Sequence, residues 1–209
     1  MSLTLKSGFS FDYDNLFGEG KVTKEDLECY KDDLKKAHEA MKHMRETGVI
    51  RAHLSKDGDP EKVLFSQLPY VEEGHLNSPS SMKHLQELTD HVKNHTDTVV
   101  SLGIGGSYLG NKVIFDVHCG EFWNAESTKE RGGFPKVIFS GNNIDPRRTG
   151  DVIKFLKREA KYKKLHGQGK YNVMLLVISK SGGTLDTMSN FMVIYDASKD
   201  EPDIDVEVV

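Results

Sequence analysis

The hydrophobic rhythm of the chain changes near residue 96. After that point short solid apolar runs alternate with helical stretches. The runs at 98–103 (TVVSLG), 136–140 (KVIFS) and 172–178 (NVMLLVI) predict strands buried on both faces. Helices are predicted from Gly106 to about His118, over 146–163 and over 184–198, and residues 204–209 (IDVEVV) open a fourth strand. Buried strands alternating with helices imply parallel βαβ units, so the expected fold class is α/β, with an open, doubly wound parallel sheet. The chain stops where the fourth strand begins. The sheet is therefore expected to be incomplete, and the sequence to be a piece of something longer.

Before residue 96 the pattern differs. Residues 1–20 read as an irregular arm whose aromatics, Phe9, Phe11, Tyr13 and Phe17, pack on the main body. Thr23-x-x-Asp26 resembles a capping box with Asp in place of Glu. Leu27, Tyr30, Leu34, Ala37 and Met41 follow at helical spacing and predict one helix from Thr23 that ends near Gly48. Residues 51–80 are turn-rich, with Asp57-Gly58-Asp59-Pro60, Leu68-Pro69-Tyr70 and Ser78-Pro79-Ser80. A further helix is predicted after Pro79, with Met82, Leu85, Leu88 and Val92 on one face.

Composition narrows the function classes. The chain has 209 residues, 37% apolar and 29% charged, which suits one domain with a core plus an appendage. A net charge of −4 argues against nucleic acid as a partner but leaves room for a small anion at one local site. Cys29 and Cys119 are far apart and lack metal-type spacing, which fits a reduced, cytoplasmic location. No window approaches a membrane span, and the first residues lack a signal-peptide pattern.

In a doubly wound sheet ligands bind beyond the carboxyl ends of the strands. Three loops are expected there: Gly103–Gly110, Ser140–Asp145 and Ser179–Thr187. The first offers helix N-terminal amides beside the Ser107 hydroxyl, with no side-chain bulk at Gly105 and Gly106, which suits an anion. The third, Ser179-Lys180-Ser181-Gly182-Gly183-Thr184, places three hydroxyls, two glycines and a lysine before a helix, a composition that suits a phosphate. Nucleotide motifs fail. Gly110 is followed by Asn111-Lys112-Val113 rather than by a Walker lysine, and Tyr108 stands where GxGxxG needs glycine.

The segments Gly103-Ile104-Gly105-Gly106-Ser107-Tyr108-Leu109-Gly110 and Ser179-Lys180-Ser181-Gly182-Gly183-Thr184 resemble the glucose-6-phosphate isomerase (phosphoglucose isomerase) family. Leu68-Pro69 and Gly141-Asn142-Asn143-Ile144-Asp145 support the resemblance, which extends from about residue 65 to residue 198. It implies a sugar isomerase (SIS), flavodoxin-like domain over 66–209, the first of two in the full enzyme, preceded by a helical arm over 1–65. It also implies glucose 6-phosphate and fructose 6-phosphate as ligands, a homodimer for the full enzyme, an enediol mechanism, and neither cofactor nor metal. By position, Ser179, Lys180, Ser181 and Thr184 correspond to the phosphate-binding residues, Lys180 mainly through its backbone. Gly106 and Ser107 correspond to residues near the sugar. Asp186 stands where the family commonly carries a Glu, as a supporting carboxylate one methylene shorter.

The resemblance has limits that bear on activity. Gly182-Gly183 replaces a threonine-containing pair, which removes one hydroxyl contact. The family's catalytic Glu, His, Lys and Arg lie beyond the last residue of this chain, so no catalytic residue is assigned and the chain alone is expected to be inactive. Asp145 and Asp186 are poor substitutes for the base, and Asp186 reads as helix-dipole stabilisation. The alternative reading is a non-catalytic SIS module that senses phosphosugars. Other signals read as structure: the His91/His95 pair and the Lys154–Lys164 cluster as solvated helix faces, Trp123 as packing, and His118-Cys119 as no nucleophile.

Overall fold

Pairing begins where the sequence predicts an irregular arm. β1 (Ser2–Thr4) and β2 (Ser10–Asp12) form an antiparallel hairpin. Its residues are exposed, Phe9 and Phe11 included, and Phe11 stacks on Tyr13 at 6.2 Å. This computed structural model describes residues 2–54 and 58–209. Asp57 of the predicted Asp57–Pro60 turn lies outside the described residues.

The capping box forms. Asp26 N donates to Thr23 Oγ1 at 3.1 Å, and Thr23 N donates to Asp26 Oδ2 at 2.8 Å. The Thr23 amide, and then its hydroxyl, hold the Asp26 carboxyl below its ordinary range. The single helix predicted from Thr23 to Gly48 is instead two: α1 (Lys24–Cys29) and α2 (Lys31–Thr47). Tyr30 leaves helical geometry at ψ 0°, and Asp32 and Asp33 in the next turn favour a second helix start. Tyr30, Leu34 and Met41 of the predicted apolar stripe are exposed. The turn-rich stretch also holds an antiparallel pair, β3 (Val49–Leu54) with β4 (Pro60–Lys62). α3 (Pro79–His95) follows, with proline at its start, where a missing N–H costs nothing. Two compact units result, Met1–Met82 and Lys83–Val209.

The second unit is the α/β sheet. β5 (Thr98–Leu102), α4 (Gly106–Cys119), β6 (Lys136–Ser140), α5 (Pro146–Leu165), β7 (Tyr171–Val177), α6 (Leu185–Lys199) and β8 (Ile204–Val208) match the predicted elements within two residues at each end. All pairings are parallel, in the order β6-β5-β7-β8. Counted within the sheet this is the order 2-1-3-4 of a flavodoxin-like fold.

Alternate residues of each strand serve opposite faces. Val100, Leu102, Val173 and Leu175 pack with Val152, Leu156 and Ala160 of α5 and Ile194 of α6. On the other face Phe139 of β6 meets Tyr108 and Phe115 of α4 edge-on, at 5.9 and 5.3 Å. Helices on both faces explain why the strands read as continuous apolar runs. Trp123 packs as expected: its ring meets Phe115, and Nε1 donates to Pro135 O at 3.1 Å. The basic cluster on α5 is partly structural, since Lys163 donates to Asp97 Oδ2 at 2.6 Å and Lys164 to Asp203. The His91/His95 face is likewise engaged: the rings stack at 4.7 Å, and His91 Nε2 lies 3.1 Å from Glu207 Oε2. No helix among the described residues is long and apolar enough to cross a membrane.

One buried polar bond ties the amino ends of β5 and β7. Thr98 Oγ1 and the Tyr171 hydroxyl lie 2.6 Å apart, both buried. Burial pushes the Tyr171 phenol up. The folded state therefore holds the proton more tightly than the unfolded state. Its contribution is full below the ordinary phenol range, about pH 10, and falls as pH rises through that range. Tyr171→Phe leaves Thr98 Oγ1 buried without this partner and is expected to cost about 1–3 kcal/mol. Urea unfolding at neutral and alkaline pH checks both points: the variant is less stable at neutral pH and loses less on going alkaline.

Candidate functional site

The strand order places the switch point between β5 and β7. β5 connects through α4 to β6 on one side, and β7 connects through α6 to β8 on the other. The loops after β5 and β7 thus start from neighbouring strands and part over the sheet edge. They are the two glycine- and hydroxyl-rich segments singled out in the sequence.

Backbone bonds knit the three strand ends together. Gly103 N donates to Ser140 O at 3.2 Å, and Ile178 N donates to Leu102 O at 2.8 Å. Two glycines are required by this packing. A Cβ on Gly103 would strike the Ser107 carbonyl and sit 2.9 Å from the Ser107 carbonyl carbon. A Cβ on Gly141, at φ +83°, would sit 2.9 Å from Gly103 N. The chain then enters α4 through Gly105, and Gly106 and Ser107 are the first two residues of that helix. Gly106 is exposed and Ser107 half-buried.

The loop after β7 folds its three predicted hydroxyls onto one locus. Ser179 Oγ and Thr184 Oγ1 lie 3.1 Å apart, and Ser181 Oγ lies 3.4 Å from the same Thr184 Oγ1. Gly182 N donates to Ser179 Oγ at 3.1 Å, and Gly183 N donates to Ser181 Oγ at 3.3 Å. The two hydroxyl–hydroxyl contacts, at 3.1 and 3.4 Å, are long beside the usual O–H···O separation of about 2.7–2.8 Å. They are weak, and the hydroxyls are free to turn toward a stronger acceptor. Thr184 is the N-cap of α6 but makes no side-chain cap bond. The cluster therefore lies at the positive end of a 15-residue helix, with its central hydroxyl uncommitted to the helix itself. Lys180, beside it, is exposed.

The acidic residues have other engagements. Asp145 caps α5, its Oδ1 accepting from Arg147 N at 2.9 Å and Arg148 N at 3.3 Å. Asp186 lies in the first turn of α6, where negative charge complements the helix dipole.

A buried polar network joins the loop after β6 to α6, and sequence reasoning missed it. Asn190 Oδ1 accepts from Thr149 Oγ1 at 2.6 Å. Asn190 Nδ2 donates to Asn143 O at 3.0 Å and to Asp186 O at 2.8 Å. Thr187 Oγ1 donates to Gly141 O at 3.4 Å. The available signal was the pair Thr187 and Asn190, three apart, which interrupts the face of α6 that Ile194 continues into the core.

No family model matches the chain. Individual relatives do. The chain is 32% identical over 110 residues to the glucose-6-phosphate isomerase of Pediococcus pentosaceus, an alignment covering 53% of this chain and 22% of that protein. It is 31% identical over 112 residues to the glucose-6-phosphate isomerase of Latilactobacillus sakei, covering 54% of this chain and 22% of that protein. The Shouchella clausii glucose-6-phosphate isomerase is 33% identical over 112 residues, with the same two shares. Over about half its length this α/β chain is thus similar in sequence to glucose-6-phosphate isomerases, and it spans about a fifth of the length of the curated relatives it matches.

Proposed function

We propose that this chain supplies the phosphate-recognition part of an aldose–ketose isomerase that interconverts glucose 6-phosphate and fructose 6-phosphate. The observation that carries the reading is the convergence of Ser179, Ser181 and Thr184 at the start of α6, beside the switch point of the sheet. A phosphate placed there receives hydroxyl bonds from three side chains, amide bonds from the turning backbone and the favourable end of the helix dipole. In this reading Lys180 adds its backbone amide, Gly106 and Ser107 approach the sugar, and Asp186 supports the site from the helix. The sugar-phosphate-binding SIS domain is assigned to residues 66–209 and an arm to 1–65; the whole enzyme is a cytoplasmic homodimer.

The chain alone binds without turnover. Isomerisation moves a proton between C1 and C2 and needs a free carboxylate base near the sugar and positive charge for the enediolate. Asp145 is committed to two amides of α5, which argues against that role. Calorimetric titration of the 209-residue chain with fructose 6-phosphate is expected to show saturable binding. Ser181→Ala should weaken it by about tenfold or more, the loss of one hydrogen bond to a charged group. Equal affinity in parent and variant removes the third loop as the phosphate site, and measurable isomerase activity of the parent refutes the claim of inactivity.

A further inference from the structure

We propose that Asn190 is a positioning residue that locks the loop after β6 to the phosphate-binding end of α6, so that the two move as one body. The inference rests on the phosphate-binding reading of α6. Asn190 itself lies well inside the unit, 4% exposed, and nothing in the geometry brings it to a ligand.

Three of its bonds reach three different segments. Oδ1 takes the Thr149 hydroxyl from α5 at 2.6 Å, and that bond fixes which end of the amide faces α5. With Oδ1 so held, both Nδ2 protons face the other way. One goes to Asp186 O in the first turn of α6 at 2.8 Å, and the other to Asn143 O in the loop after β6 at 3.0 Å. The amide is satisfied on both sides; the bonds to Thr149 and Asn143 connect parts 41 and 47 residues apart, and the bond to Asp186 O anchors the amide within α6, four residues back. Thr187 adds a parallel tie from α6 to Gly141 O at 3.4 Å, and the neighbouring Ser140 O accepts from Gly103 N at 3.2 Å. A continuous path therefore runs from α6 through the loop after β6 to the loop after β5. The hydroxyl cluster is held loosely within itself, so its placement depends on the helix that carries Thr184. Asn190 sets the first turn of that helix.

Substitution gives a specific pattern. Asn190→Asp keeps an acceptor for Thr149 but turns a carboxylate toward the carbonyls of Asn143 and Asp186. Asn190→Ala removes all three bonds. Thr149→Val removes only the bond that orients the amide. Each variant is prepared as the full 209-residue chain, and its fold and melting point are recorded by circular dichroism. Fructose 6-phosphate affinity is then measured well below the melting point. Asn190→Ala and Asn190→Asp are expected to weaken binding by about tenfold or more, Thr149→Val by less, and Thr149→Ser to restore the parent value. A merely structural role lowers the melting point and leaves the affinity of the folded chain unchanged, and that result overturns the proposal.

Amide resonances of the ligand-free chain separate this claim from the reading it rests on. In Thr149→Val, the milder change because it removes one bond where Asn190→Ala removes three, the amides of Asn143–Ile144 and of Gly182–Gly183 are expected to shift together. Shifts confined to the Asn143 loop overturn the coupling. A parent that does not bind fructose 6-phosphate counts against the phosphate-binding reading, and the paired amide shifts still decide whether Asn190 couples the two loops.

Discussion

Gly103→Ala is expected to destabilise the second unit by about 3 kcal/mol or more, near the top of the range for a single overpacking change. The added Cβ meets the Ser107 carbonyl group, and the Ser107 Cβ also lies within 3.1 Å. The first obstacle is backbone, so a rotamer change cannot relieve it. Nor can the strand end move the other way: Gly103 N is bonded to Ser140 O at 3.2 Å, and Gly141 lies against the same residue. The remaining escape is to lift α4 off the strand end, which also displaces Gly106 and Ser107 and loosens Tyr108 and Phe115 from Phe139. Urea unfolding checks the stability. A loss below about 0.5 kcal/mol, typical of an unconstrained surface position, means the turn is not packed in this way.

Thr184→Val separates binding from stability. Both other hydroxyls of the cluster bond to Thr184 Oγ1, at 3.1 and 3.4 Å, so this change removes the centre of the arrangement while keeping its shape. The Thr184 side chain makes no cap bond to α6, so the usual N-cap penalty of about 1 kcal/mol should be largely absent. Affinity for fructose 6-phosphate is expected to fall by about ten- to a hundredfold, the value of one hydrogen bond to a charged phosphate. Parallel calorimetry and thermal melts give the two numbers. A large drop in melting point with unchanged affinity would reverse the assignment and make Thr184 a structural cap.

The sheet was legible because its physics is local. Val99–Val100 and Val173–Leu175 on the two central strands are buried, Phe139 on the edge strand β6 is buried beside the half-buried Val137 and Ile138, and solid apolar runs are the direct imprint of that burial. The loops were legible for the same kind of reason: Gly103 and Gly141 stand where no Cβ fits, and glycine is visible in a sequence. The Thr149–Asn190–Asn143 network was not. Its members lie 41 and 47 residues apart and meet only because α5 and α6 share one face of the sheet. An asparagine in a helix carries no sign of whether its amide faces water or is taken up by a hydroxyl and two carbonyls of the protein. The break at Tyr30 was hidden by an unbroken helical stripe, since Leu27, Tyr30 and Leu34 keep their spacing across it. The hairpin at β1 and β2 does carry a strand-like alternation, Leu3 and Leu5 on one arm and Phe9 and Phe11 on the other around Lys6-Ser7-Gly8, but each strand is only three residues long and wholly exposed, so the signal is short and no burial reinforces it.

In the proposed function the hydroxyls of the loop after β7 hold a sugar phosphate. A crystal structure of the 209-residue chain with fructose 6-phosphate tests it most directly. Phosphate oxygens are expected within hydrogen-bond distance of Ser179 Oγ, Ser181 Oγ and Thr184 Oγ1, with the sugar extending toward Gly106 and Ser107. A sugar phosphate bound instead at the amino-terminal end of the sheet, in the polar cavity of about 600 Å³ lined by Lys93, Arg131 and Lys163, would contradict it.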